Sequence, residues 1–237
     1  MATLQSMAIT GSFYPGSGSN TSDVGYMWYD TEYDCIKYSG WDGTGIVAKE
    51  LGNSNATESG SVPLPTGLSD SIYSQNLSPS PAWSFNSHTV ESNYNGRTVR
   101  VVWEYNNGTS FRGDFQLDDF SLFGNSYDPN SGISSGWQTS TVNTPSYTSV
   151  SFSGLSNGTS TNRWNRDPSG TPSSSTGLTS GNTGTYYYYA ETSGTSGQKY
   201  WLRSPEITVS GNFTISYYKA HYGSNVGDYK VYVDVIS

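Results

Sequence analysis

Alternation of apolar and polar positions is clearest from Arg97 to Tyr105, which reads RTVRVVWEY and predicts a β-strand. Shorter or less regular runs of the same kind lie at residues 82–85, 111–123, 146–152, 185–190, 199–203, 212–219 and 228–236. A period of two places successive side chains on opposite faces of a sheet. The pattern therefore predicts an all-β chain built of antiparallel strands.

Turn and breaker residues add two local predictions. Asn106-Asn107-Gly108 follows one predicted strand, and Asn-Gly readily adopts the positive φ angles of a tight hairpin, so we expect the next strand to pair with it. That next strand would place Phe115, Leu117 and Asp119 on one face if no bulge intervenes. The segment closest to a helix is GIVAKELG, at Gly45–Gly52, with Gly52 as a C-cap.

The first fifty residues form a region of their own. The apolar run Val24–Tyr29 meets a turn at Asp30–Asp34, where aspartate side chains bond to nearby backbone N–H groups, and CIKYSGW then returns as a second strand. Residues 51–69 are small, polar and rich in breakers, which is typical of a linker. We divide the chain into a hairpin or anchoring region at 1–50, this linker, and a β-sandwich at 70–237.

Composition agrees with a folded β protein and narrows its partners. Aromatic residues make up 15% of the chain and charged residues 13%, whereas disordered chains are poor in aromatics. The net charge is −8 and the 11 lysines and arginines form no basic run, which argues against nucleic acid as a partner. No window approaches 18 apolar residues, so no membrane span is predicted.

The single cysteine, Cys35, excludes an intramolecular disulfide and a cysteine zinc cluster. The sequence at the N-terminus has no basic stretch followed by an apolar run, so it does not predict a secretory signal. Both features favour assembly in a reducing cytoplasm.

Two long stretches resemble the halves of a MAM domain. TPSSSTG, YYYYAETSG, LRSPEI, FTISYYKAHYG and YKVYVDV, between Thr171 and Val235, follow the order of the first half, and NGRTVRVVWEY with GDFQLDDF, between Asn95 and Leu122, resembles the second. The resemblance implies a jelly-roll sandwich of two antiparallel sheets. Because the second half comes first here, we predict a circular permutation joined through Gly124–Gly136. A domain swap, in which half-domains pair between chains, is the alternative that the sequence leaves open.

A further resemblance concerns the N-terminal region. WYDT and IKYSGW resemble a short aromatic hairpin that recurs in bacteriophage tail and appendage proteins. The resemblance implies a virion structural protein, located in the virion and assembled in the host cytoplasm, that decorates the capsid or forms part of a tail or fibre. Its partners would be other virion proteins and copies of itself. The alternative is a carbohydrate-binding adhesin that recognises host surface glycans.

Asp118 and Asp119 are the candidate metal ligands. Paired carboxylates at a strand end suit Ca²⁺, which takes six to eight oxygen ligands. MAM-like and related jelly rolls place calcium near such a motif, and the resemblance implies further ligands from the opening strand, but SSGWQTST in that region contains no acid. In the alternative, one aspartate bonds to loop N–H groups and the other is solvated.

Tyr187, Tyr189 and Trp164 are the candidate aromatic binding residues. The run Tyr186–Tyr189 places two rings on each side of a strand, and one side can stack on a sugar or a protein partner. Trp164 lies in a segment dominated by serine, threonine, glycine and asparagine. The alternative for all three is core packing and protection of a sheet edge.

We expect no enzymatic activity. Asp114 with Asp118 or Asp119 would make a glycosidase-like carboxylate pair, but the sequence gives no reason for a raised pKa in any of them. The chain carries no G-x-S-x-G, P-loop or zinc-protease motif.

Overall fold

The computed structural model describes residues 6–7, 27–30, 35–41, 46–50, 66–140 and 146–237. The chain divides into two compact units, Met1–Gly60 and Ser61–Ser237, and each is described here by itself. Most of the predicted linker, residues 51–65, lies outside the described residues, and Gly67–Leu68 near its end forms a short strand.

The first unit contains a four-stranded antiparallel sheet whose strands follow chain order: β1 (Ser6–Met7), β2 (Met27–Asp30), β3 (Cys35–Trp41) and β4 (Ile46–Glu50). The predicted hairpin is confirmed, because β2 pairs with β3. The helix considered at Gly45–Gly52 is wrong, since β4 pairs with β3 there. The β-branched pair Ile46-Val47 favours a strand, and a segment this short cannot sustain a helix by itself.

The second unit contains fourteen strands among the described residues. They are β5 (Gly67–Leu68), β6 (Tyr73–Asn76), β7 (Ser80–Thr89), β8 (Thr98–Asn106), β9 (Asp114–Leu122), β10 (Asn125–Tyr127), β11 (Gln138–Ser140), β12 (Phe152–Gly154), β13 (Arg163–Asp167), β14 (Tyr187–Glu191), β15 (Lys199–Arg203), β16 (Ile207–Thr208), β17 (Thr214–Tyr222) and β18 (Asp228–Val235). Short 3-10 helices lie at Ser92–Tyr94, Pro129–Ser131 and Tyr147–Ser149. No helix in the described part of the chain is long and apolar enough to span a membrane.

These strands form two antiparallel sheets that pack as a jelly-roll-like sandwich, so the all-β prediction is confirmed. The first sheet has the order β13-β14-β9-β17-β7, with β10 beside β9. The second has the order β12-β11-β15-β8-β18-β5, with β16 beside β8 and β6 beside β18. β9 lies between β14 and β17, and β8 between β15 and β18, so early and late segments close both sheets within one chain.

The predicted hairpin at Asn106-Asn107-Gly108 is wrong, because β8 and β9 belong to different sheets. Neither Asn107 nor Gly108 has a positive φ. The Asn107 side chain accepts the Gln198 N–H at 2.7 Å and donates to the Thr195 carbonyl at 3.1 Å. A Cβ atom on Gly108 would lie 2.4 Å from the Asn225 carbonyl oxygen. The glycine therefore permits a close backbone approach where the chain crosses between sheets.

The core shows the expected alternation, which a bulge interrupts on β9. On β9, Phe115 and Leu117 point into the core, and after a register shift against β17 the core residues become Phe120 and Leu122. Asp119 has a φ of 47° at this bulge. The bulge moves Asp119 off the face that it would share with Phe115 and Leu117 in a regular strand.

The strand predicted at 146–152 is wrong over most of its length, because Tyr147–Ser149 form a 3-10 turn and β12 begins only at Phe152. The hydroxyl of Ser149 bonds to the Ser146 carbonyl at 3.0 Å. Such local side-chain bonds compete with strand pairing.

Candidate functional site on the first sheet

Residues 168–186, between β13 and β14, form what we call the covering segment, which lies over the outer face of the first sheet. Gln116 on β9 accepts the Leu178 N–H at 2.7 Å and donates to the Leu178 carbonyl at 3.1 Å. The indole N–H of Trp83 donates to the Ser180 carbonyl at 3.1 Å. The long polar stretch is therefore fastened to the sheet by side chains of two strands.

The three aromatic candidates are not surface rings, because Tyr187, Tyr189 and Trp164 are each 0% exposed. The Tyr187 hydroxyl donates to the Leu178 carbonyl at 2.9 Å, beneath the covering segment. Trp164 lies on β13 and points into the core, with its ring 5.9 Å from that of Phe115. The expectation of exposed rings was wrong because the segment that looked like open loop contains β13 and a cover for the sheet.

Sequence reasoning missed the aromatic side chain that is exposed. Phe85 on β7 is 58% exposed, and its ring lies 5.2 Å from that of Tyr218 on β17. Phe111, between β8 and β9, is 41% exposed. The available signal was the segment AWSF, in which two aromatics share one face of a strand without any charged neighbour.

Asp118, Asp119 and Asp128 each offer an oxygen within 4.8 Å of the others. Asp118 Oδ2 accepts the Asn182 N–H at 2.7 Å, and Asp119 Oδ2 accepts the Thr183 hydroxyl at 2.7 Å. The sequence therefore identified two members of this cluster. The third comes from the connector at 124–136 and not from the opening strand where a further acid was expected.

The donor set of this cluster is all oxygen, which is the chemistry that Ca²⁺ prefers. Burial raises the pKa of Asp118 to about 7, and the neighbouring charge of Asp119 adds to the rise. Backbone N–H groups of Asp119, Asn182 and Thr183 oppose it. None of the cluster's oxygens is both buried and without a donor. These contacts match the alternative of loop N–H groups that balance the charge, and calcium at Asp118 and Asp119 stays a prediction.

Asp114 and Asp118 are the two acids of the glycosidase-like pair, and burial raises the pKa of each to about 7. Neither pKa shift was expected from the sequence. Both side chains are 0% exposed. A polysaccharide has no path to either carboxyl while the covering segment is in place, so burial and not a substrate cleft accounts for the raised values.

No protein-family model, curated protein or solved structure matches this chain. Its class therefore follows from the architecture alone, which is a jelly-roll-like antiparallel β-sandwich.

Proposed function

We propose that this chain is a structural protein of a bacteriophage particle, either a capsid decoration or a part of a tail or fibre. Its sandwich would act through non-covalent contacts with other virion proteins and with copies of itself. The observation that carries the proposal is the open edge strand β7.

β7 is ten residues long, reads SPAWSFNSHT and contains no lysine, arginine, aspartate or glutamate. In the described part of the chain it is the outermost strand of the first sheet. Edge strands of monomeric proteins are usually short, charged, bulged or covered, because exposed N–H and C=O groups invite another strand. Pro81 and a register shift against β17 protect the first half of β7. The second half, Ser84–Thr89, has neither feature and no charge, which supports addition of a strand from a second chain there.

The opposite edge of the same sheet provides the contrast. There Asn157 makes a β-bridge with Arg166 on β13, and the Arg166 N–H donates to the Ser156 carbonyl at 3.0 Å. That edge is closed by the chain itself. On β7, by contrast, the 58% exposed ring of Phe85 lies beside the unpaired backbone, which adds apolar area that a partner would bury.

The resemblance to MAM domains belongs to the same proposal. The segment that resembles the second half supplies β8 and β9, and the segment that resembles the first half supplies β14, β15, β17 and β18. These strands interleave within one chain, which is the arrangement that we propose for a circularly permuted domain. Modules of this kind serve recognition and assembly, so we propose no catalytic activity.

Particles of the phage that encodes the chain provide the test. Mass spectrometry of purified particles should find the chain at a fixed copy number, in hundreds for a capsid decoration and in tens or fewer for a tail part. The double variant Ser84→Lys with Phe85→Lys should retain the thermal unfolding midpoint of the isolated protein but be lost from particles. Thr159→Lys, at an exposed site on a loop, is the matched control. Absence of the unmodified chain from purified particles would overturn the proposal.

The second candidate, a glycan-binding adhesin, is favoured by one observation, which is the exposure of the Phe85 and Phe111 rings. Aromatic faces stack on sugars. A glycan array with the purified chain should then show binding that Phe85→Ala or Phe111→Ala removes. An array without signal would leave assembly as the function.

A further inference from the structure

A second pair of carboxylates lies under the same covering segment, away from the Asp118 cluster. Ala190 on β14 is paired with Phe115 on β9, so the next residues, Glu191 and Asp114, are cross-strand neighbours on the outer face. Both are 0% exposed. Two acids are thus placed side by side in the interior.

Each of these carboxylates has one oxygen with a donor and one without. Asp114 Oδ1 accepts the N–H and the hydroxyl of Thr192, at 3.2 and 3.1 Å. Glu191 Oε1 accepts the Ser193 N–H at 2.9 Å. Asp114 Oδ2 and Glu191 Oε2 are buried and have no hydrogen-bond partner. A buried charge left in this state is strongly unfavourable unless a counter-charge balances it.

The protein does not supply that counter-charge itself in the described contacts. Strand register places Arg163 opposite Glu191. Its guanidinium instead donates to the Ser153 hydroxyl at 3.1 Å and to the Gly154 carbonyl at 3.0 Å. Within residues 66–140 and 146–237, no ion pair involving Asp114 or Glu191 is formed.

Besides Arg163, whose Nε is buried and has no hydrogen-bond partner, hydroxyl groups lie around the pair. The hydroxyls of Thr171 and Thr176 lie 2.7 Å apart and close enough to influence Asp114, but neither forms a hydrogen bond with Asp114 Oδ2. Burial raises the pKa of Asp114 to about 7, and the charge of Glu191 raises it further. Oxygen donors without nitrogen or sulfur are the set that a hard cation such as Ca²⁺ prefers.

We propose that Asp114 Oδ2 and Glu191 Oε2 bind a calcium-like divalent cation beneath the covering segment, with the hydroxyls of Thr171 and Thr176 as further donors. The cation balances the two carboxylates and joins β9 and β14 to the covering segment. This inference does not depend on the proposed role in a virion.

The test uses the full chain after treatment with EDTA. Addition of CaCl₂ should raise the thermal unfolding midpoint, and Tb³⁺ bound in place of Ca²⁺ should luminesce on tyrosine excitation because Tyr189 lies near both carboxylates. The double variant Asp114→Asn with Glu191→Gln should lose both responses, whereas the control Asp70→Asn with Glu91→Gln, which changes two exposed acids outside either cluster, should keep them.

The sign of the stability change separates a cation site from a merely repulsive pair. In EDTA the Asp114→Asn, Glu191→Gln variant should unfold at a higher temperature than the parent, because repulsion is removed. In CaCl₂ at a hundred times the dissociation constant the order should reverse, because binding then adds about 2.7 kcal/mol to the parent.

Three results would overturn the proposal. The parent chain shows no calcium response, native mass spectrometry of the parent in calcium shows no bound ion, or the terbium luminescence and the rise in unfolding temperature both survive in Asp114→Asn with Glu191→Gln. If the Asp114→Asn, Glu191→Gln variant does not fold, two other measurements test the proposal. Glu191→Gln alone should lose the calcium response, and native mass spectrometry of the parent should show a bound ion. If Asp114 and Glu191 instead share one proton, the parent chain should show neither a calcium response nor a bound ion.

Discussion

Replacement of Asn130 by alanine would loosen the covering segment without removing any core side chain. Asn130 lies in the 3-10 turn at Pro129–Ser131 and contacts the segment through both ends of its amide. Its Oδ1 accepts the N–H groups of Thr185 and Tyr186 at 2.9 and 3.0 Å. Its Nδ2 donates to the Thr183 carbonyl at 2.6 Å. A single side chain thus satisfies three backbone groups of the segment.

The magnitude follows from these three hydrogen bonds. Each contributes roughly 0.5–1.5 kcal/mol net, so their loss amounts to about 2–4 kcal/mol, with the lower end expected because Asn130 is partly exposed. The effect should be local, since no strand of either sheet loses a partner. Amide hydrogen exchange over residues 176–186 should therefore become at least about tenfold faster, which corresponds to about 1.4 kcal/mol.

Hydrogen–deuterium exchange with mass spectrometry measures this directly. Asn125→Ala is the matched control, because its amide makes only longer bonds within its own turn, at 3.3 and 3.4 Å. Gly184→Ala should reproduce the effect independently, since a Cβ atom there would lie 2.4 Å from Asn130 Oδ1 and φ is +67°. Unchanged exchange over 176–186 in Asn130→Ala would refute the reasoning.

Three further predictions follow from the described contacts. Trp137→Ala should lower the free energy of unfolding by about 3–5 kcal/mol in chemical denaturation, because its buried ring contacts four other aromatic rings; a loss under about 1 kcal/mol would contradict this. If calcium binds at Asp118 and Asp119, Asp118→Asn should reduce the calcium-dependent rise in unfolding temperature, and an unchanged rise would exclude that site. Burial lowers the pKa of Lys219 to about 8, so the unfolded state holds this proton more tightly and stability should increase from pH 8 towards 10.5. Lys219→Met should flatten that increase in thermal scans, and an identical pH slope would count against it.

Local pattern predicted the strands well because each strand needs only its own alternation. β15 was predicted with its observed bounds, Lys199–Arg203, and β18 within one residue. The errors arise where tertiary contacts override a local signal. Asn107-Gly108 carries a strong hairpin motif, yet the Asn107 side chain bonds to Thr195 and Gln198, and the chain crosses to the other sheet.

The candidate site was predicted less completely for the same reason. Asp118 and Asp119 were recognisable as adjacent acids, but the bulge that separates their environments depends on pairing with β17. Asp114 and Glu191 are far apart in sequence, and only the β9–β14 register makes them neighbours. The burial of Tyr187 depends on a polar segment whose attachment to Gln116 has no signature in a single sequence.

The interleaving of early and late strands has a consequence for how the sandwich is made. β9 lies between β14 and β17, which are synthesised much later. In the other sheet, β8 likewise lies between the late strands β15 and β18. Neither sheet can bury its apolar face during translation until both the early strands and the late strands have left the ribosome. Proteins with strand pairs so distant in sequence fold slowly. A protease cut in the connector between them would leave two interlocked pieces, so the chain should be suited to reassembly from separately expressed fragments.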